Sequence, residues 1–323
     1  MIFLKKFMSA GITAALTGAF LCGCTTGTHT VPSASLVEVP PVAVTAEESS
    51  VSGEDMLVAA QEGVFIYDKA SSLTNTEYSE CNEYAAMLYK EYLLNAAVVI
   101  TNDLEGMTPD EYAAEAYDNI FSGMGSGMLF LINNESQNDV LYKAGHCQRF
   151  IDEVAERDEL YRATKELVVG NYGEASMIML KLGERCPKNV IDNSNIFSEE
   201  MADEFSDSLA QCANPVTIIA TNNGTGIPNE ELARTYYNRK YGDSAGYLIL
   251  MDKKTRSVTA VTNGELPAEI AEIVAAANTT AGNDDFIGAA NKIISGFGGV
   301  PLMISEPETT EAVQPDEAAA EEE

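Results

Sequence analysis

The chain has 323 residues, 19 basic against 50 acidic side chains (a formal net charge of −31) and 46% hydrophobic residues. The length accommodates two ordinary domains, and the apolar content is enough for real cores. The charge excludes nucleic acid as a partner, disfavours anionic headgroups and phosphorylated substrates unless a metal ion or basic patch intervenes, and favours solubility and divalent cations.

Lys5 and Lys6 form a positive start, and the uncharged apolar run from Met8 to Phe20 is too short to span a bilayer but suits a signal h-region. The run ends in Leu21-Cys22-Gly23-Cys24, which resembles the lipobox of bacterial lipoproteins. A small residue precedes the acceptor in such a box, so Gly23 points to Cys24 as the lipidated residue and 1–23 as the signal peptide. The resemblance implies a membrane-anchored, extracytoplasmic protein, periplasmic or at the cell surface, carrying acyl chains such as palmitate. A single chain would anchor it only weakly.

Residues 24–60 contain Pro32, Pro40 and Pro41, many Ser, Thr and Val, and no aromatic residue. They are expected to form a flexible tether with a reach of about 30–35 Å. Residues 304–323 are acidic and rich in Ala and Pro, an expected disordered tail. Cys81, Cys147, Cys186 and Cys212 allow three disulfide connectivities or free buried thiols, and no CxxC spacing suggests zinc.

Between tether and tail the chain repeats itself at a period of about 120 residues, a domain-sized repeat. Val64-Phe65-Ile66-Tyr67-Asp68 matches Val190-Ile191-Asp192, and Ala97–Asn102 matches Ile218–Asn222. Gly127–Ile132 matches Gly246–Met251, and Gly145 matches Gly264. The copies span 61–187 and 188–303. In chain order, a short strand ends in Asp68 and a helix opens at Thr74, with Glu77 completing a capping-box pattern. The second copy has Ser198 and Met201 there and lacks the box. A buried strand covers Ala96–Thr101, and a helix starts near Pro109-Asp110. The loop Gly123-Met124-Gly125-Ser126-Gly127 leads into the most apolar strand, followed by a strand at Val140–Ala144. Helices are expected near Ile151–Val169 and Tyr172–Gly183. The fold class is α/β: two tandem αβα sandwich domains, each a small mixed sheet flanked by helices.

The order of Asp68, Leu73-Thr74, the strand Val98–Thr101, the glycine-rich loop into Gly127–Ile132, the Gly145 turn and Gly170-Asn171-Tyr172-Gly173 resembles the TPM domain, with a second, more degenerate copy behind it. The resemblance implies an α/β sandwich outside the cytoplasm and, in some members, phosphatase activity or a divalent ion such as calcium. Carried over residue by residue, Asp68, Asp152, Asp192 and Asp243 are the candidate metal ligands. Neither copy shows the full acidic set, and for Asp68 and Asp192 a turn or helix-cap role, which Asp favours, is expected ahead of a ligand role.

No catalytic residues stand out. His146 and Cys147 are adjacent; on an extended segment they point to opposite sides and form a poor nucleophile–base pair, so they are expected to be a loop histidine and a structural cysteine. The glycine-rich loop lacks the Lys-Ser/Thr of a P-loop and precedes a strand. Lys253, Lys254 and Arg256 fall in an expected hairpin turn. The sequence therefore favours a non-catalytic interaction or assembly module with a membrane or envelope protein as partner. A divalent-metal-dependent phosphatase is one alternative, and a small-solute-binding lipoprotein with a cleft between the copies is another.

Overall fold

The structure is a computed structural model that describes residues 63–122 and 125–303. Cys24, the tether and the tail lie outside the described residues. All described residues belong to one compact unit. Two four-stranded sheets repeat the same plan. In the first, β1 (Ile66–Asp68), β2 (Asn95–Thr101) and β3 (Gly127–Asn133) run parallel, and β4 (Val140–Ala144) closes the edge antiparallel to β3. In the second, β5 (Val190–Asp192), β6 (Val216–Thr221) and β7 (Tyr247–Asp252) run parallel with β8 (Ser257–Thr262) antiparallel. The registers correspond as well: Ile66 faces Val98 and Val98 faces Phe130, as Val190 faces Ile218 and Ile218 faces Ile249. Every residue of β2 and β3 is buried, which a strand covered on both faces requires and which explains their unbroken apolar runs.

Helices cover both sheets. In the first copy these are α1 (Asn75–Glu91), α2 (Pro109–Phe121), α3 (Cys147–Phe150), α4 (Glu153–Val168) and α5 (Tyr172–Lys181), which runs into a 3₁₀ turn at Leu182–Arg185. Helix α5 packs on both α1 and α4, while α2 lies on β3 and β4. The second copy has α6 (Glu199–Ala210), α7 (Asn229–Lys240), α8 (Ala268–Gly282) and α9 (Phe286–Gly296). Thr74 and Glu77 form the expected capping box on α1: the Glu77 N–H donates to Thr74 Oγ1, and the Thr74 N–H to Glu77 Oε2 at 2.8 Å. A second box, Thr108 with Glu111, opens α2 ahead of Pro109. On α6 only the Met201 N–H to Ser198 Oγ bond is present, as the sequence indicated.

Three local expectations are corrected. The helix expected at Ile151–Val169 begins at Glu153 because Asp152 stops the preceding turn and caps the new helix. The helix expected to reach Gly183 tightens into a 3₁₀ turn after Lys181. The His146-Cys147 pair lies on a helical turn instead of an extended segment, since His146 has α-helical angles and Cys147 opens α3. Cys81, Cys147, Cys186 and Cys212 are free thiols, with the buried Cys147 and Cys186 sulfurs 3.6 Å apart.

The two copies share apolar packing. Leu93, between α1 and β2, is 2% exposed and joins the cluster of Ile191, Ile219, Leu232, Tyr237 and Leu248 from the second copy. Its φ of +54° is a strained conformation for a leucine. The backbone is held there by the Leu94 N–H to Leu88 carbonyl bond and by the burial of the side chain.

Candidate functional site

The end of each first strand shows what its aspartate does. Asp68 Oδ2 accepts the Leu73 N–H at 2.7 Å, and Asp192 Oδ2 accepts the Phe197 N–H at 2.8 Å. Each carboxylate thus fastens the chain between strand and helix by the same five-residue reach. Asp192, wholly buried, also takes the Ser194 N–H and hydroxyl and a 3.1 Å ion pair from Arg149 Nη1. Asp68 keeps Oδ1 buried without a partner among the described residues. Asp152 is the α4 cap, accepting from Val154 and Ala155 N–H at 2.8 Å; the Ala155 bond above all lowers its pKa, opposed by desolvation and aided by the Val154 bond, Arg185 and Lys143. Asp243 is exposed in a turn, where its carbonyl accepts from Asn263.

Calcium takes six to eight oxygens, several of them carboxylate. Among the described residues no group of three or more His, Cys, Asp or Glu side chains is placed to hold a metal ion. The orphaned Asp68 Oδ1 supplies one ligand, so the surroundings of these four acids do not fit a divalent-metal centre as they stand.

The junction between the copies is built from α3 and the turn before it. His146, far from being an ordinary loop residue, is 0% exposed. Its Nδ1 accepts the Asp192 N–H at 3.3 Å, and its own N–H donates to Ser126 Oγ at 2.6 Å. The Ser126 hydroxyl in turn donates to Asn193 Oδ1. Burial, with a smaller contribution from Arg149, lowers the His146 pKa to about 4 against the opposing pull of Asp192, so the ring is neutral at pH 7. Gly145 has φ +55°, and a methyl group there would meet Ser126 Oγ at 2.7 Å, which explains the glycine. From α3, Arg149 reaches Asp192, Asn195 and the Phe197 carbonyl.

Beside this junction lies a cavity of about 600 Å³, within the range of small-molecule sites. The first copy contributes Tyr89, Asn95, Phe121, Gly125 and Gly145; the second contributes Asn193, the segment 221–225, and Tyr236 and Arg239 of α7. On the second copy's side it opens at the carboxyl ends of β5 and β6, where parallel sheets present ligand sites. None of the described lining residues is acidic, in a chain of net charge −31.

Arg239 dominates the cavity. Its Nε donates to the Tyr89 carbonyl at 2.6 Å, and its guanidinium carbon stands 3.4 Å from the centre of the Tyr89 ring. Its Nη2 is buried and has no partner among the described residues. Burial lowers its pKa to about 10, opposed by nearby tyrosines, and leaves it cationic at neutral pH. Burial likewise raises the Tyr236 phenol, which therefore stays a hydroxyl donor. Gly125, at φ +85°, leaves room next to both: a methyl group on it would lie 3.5 Å from Asn95 Nδ2 and 3.8 Å from Tyr236 Oη. Sequence reading missed Arg239, Tyr236 and Tyr89, because Tyr89 and Arg239 are 150 residues apart and no periodic pattern marks either.

Residues 66–180, within the first copy, match the family model of the TPM domain. The second copy repeats its strand order outside the matched residues. Among solved structures, the chain is similar to the N-terminal domain of a P. gingivalis protein, at 13% identity over 41% of this chain and 89% of that one, with a TM-score of 0.37. It is also similar to the N-terminal domain of a Corynebacterium glutamicum protein, at 12% identity over 41% of this chain and 84% of that one, with a TM-score of 0.31. No curated protein matches the chain.

Proposed function

We propose that the chain is a membrane-anchored, extracytoplasmic lipoprotein, lipidated on Cys24, in which two TPM-like copies form one non-catalytic solute-binding body. The supporting observation is the 600 Å³ cavity shared by the copies, lined by Arg239 and by no acid among the described residues. Of the three functions weighed on the sequence, this one gives that cavity a use. A phosphatase would need the acids to gather around a metal, whereas Asp68, Asp152 and Asp192 each hold backbone N–H groups. Thermal unfolding of the purified full chain with a library of polar metabolites tests the reading: a ligand at 100 times its Kd adds about 2.7 kcal/mol. A shift without turnover supports it. Divalent-metal-dependent hydrolysis of p-nitrophenyl phosphate, lost in Asp68→Ala, would sink it and restore the phosphatase.

A protein-interaction role keeps one specific observation. On α4, Val154, Tyr161 and Val168 recur every seven residues and are 56%, 63% and 81% exposed. That spacing aligns them along one face of the helix. An envelope protein laying an apolar helix on this stripe would be lost on Tyr161→Asp, with solute binding unchanged. Copurification unaffected by that substitution would remove the stripe as its site.

A further inference from the structure

We infer that the cavity between the copies takes a small organic monocarboxylate, its head held by the Arg239 guanidinium and the Tyr236 hydroxyl beside Gly125; this rests on the solute-binding reading. A buried guanidinium is costly unless an anion or strong acceptors surround it. No described residue forms an ion pair with Arg239, and no acid is among the described residues that line the cavity. The side chain is already oriented: the Tyr89 carbonyl holds Nε and the Tyr89 ring lies against the guanidinium plane, so little freedom remains to be lost on binding. The carrier of the charge is in the second copy and its support in the first, so the site needs both.

Charge selects the class of anion. Arg239 is the one cationic side chain among the described lining residues. One guanidinium and neutral donors balance a single negative charge, whereas a phosphate monoester would bring close to two into a protein of net charge −31. The rest of the wall tells of the body of the ligand. Ile120, Phe121 and Leu232 offer apolar surface, and Asn193 and Asn222 offer amides, which suits a compact carboxylate with a partly polar body.

The test is calorimetric titration of the purified full chain with lactate, pyruvate and benzoate, with lactamide and benzamide as neutral counterparts, and with inorganic phosphate. A monocarboxylate is expected to bind while its amide does not. Arg239→Gln should weaken binding at least tenfold. Because Arg239 also supports Tyr89, Tyr236→Phe, which removes only a hydroxyl, is the second variant and should weaken binding several-fold with an unchanged melting temperature. Equal binding of acid and amide, or affinity unchanged in both variants, overturns the carboxylate assignment while leaving a solute-binding protein. Arg239-dependent binding of phosphate in place of the carboxylates overturns it in favour of a phosphoryl ligand. Binding of none of these probes, together with no shift from the wider metabolite library, removes the solute-binding reading as well.

Discussion

His146 carries one part of the pH response. The folded pKa of about 4 lies below the 6.5 of an exposed histidine. Between those values the unfolded chain binds a proton that the folded chain refuses, so stability falls as pH drops from about 6.5 to about 4 and gains no further loss from this residue below that. The full difference corresponds to about 3 kcal/mol. Urea unfolding at pH 7.0, 5.5 and 4.5 should show it, and His146→Phe should flatten the decline over that window; an unchanged slope would place the proton elsewhere. Arg149 makes a separate case. Removing it leaves Asp192 buried with its hydroxyl and backbone bonds but no cation. Arg149→Met is expected to destabilise by about 3–5 kcal/mol, whereas the exposed pair of Arg157 and Asp158 should contribute less than about 1 kcal/mol.

At the scale of elements, stop and start signals act through identifiable bonds. Thr74→Ala removes one side of the α1 capping box and should cost about 1 kcal/mol, with Thr108→Ala on α2 similar. Both can be measured as a lowered urea midpoint with unchanged m-value; a change in m would mean that the helix start alters more than its cap. The strands β2 and β3 were legible as buried strands because both faces are covered, which makes Ala96–Ile100 and Met128–Ile132 unbroken apolar runs. The small helix α3 was not legible. Four residues give no helical period, and what holds the turn is its contact with the second copy through His146 and Arg149.

For the molecule as a whole, the question is whether the copies unfold together. Leu93 sits in the apolar cluster of the second copy, and His146, Arg149 and Arg239 bridge the same boundary. A single cooperative transition is therefore expected on heating or in urea, by fluorescence and circular dichroism alike. Leu93→Ala should lower stability by about 2–5 kcal/mol through the cavity it leaves. Two resolved transitions in the unaltered protein would show that the junction is weaker than its burial indicates.

The repeat, the strand order and most helix starts were determined by the sequence alone, because apolar period, glycine turns and capping residues act over a few residues and are written locally. The resemblance to the TPM domain was legible too, and residues 66–180 match that family model. The candidate acids were legible as strand-end and cap positions, but sequence could not assign their bonds. Tertiary structure decided that Asp68 and Asp192 tie down loops, that His146 is buried against the second copy, and that Arg239 meets Tyr89 across a shared cavity. The reason is physical: His146 and Arg239 are defined by partners 46 and 150 residues away, and the burial that shifts their charge exists only once the two copies have packed.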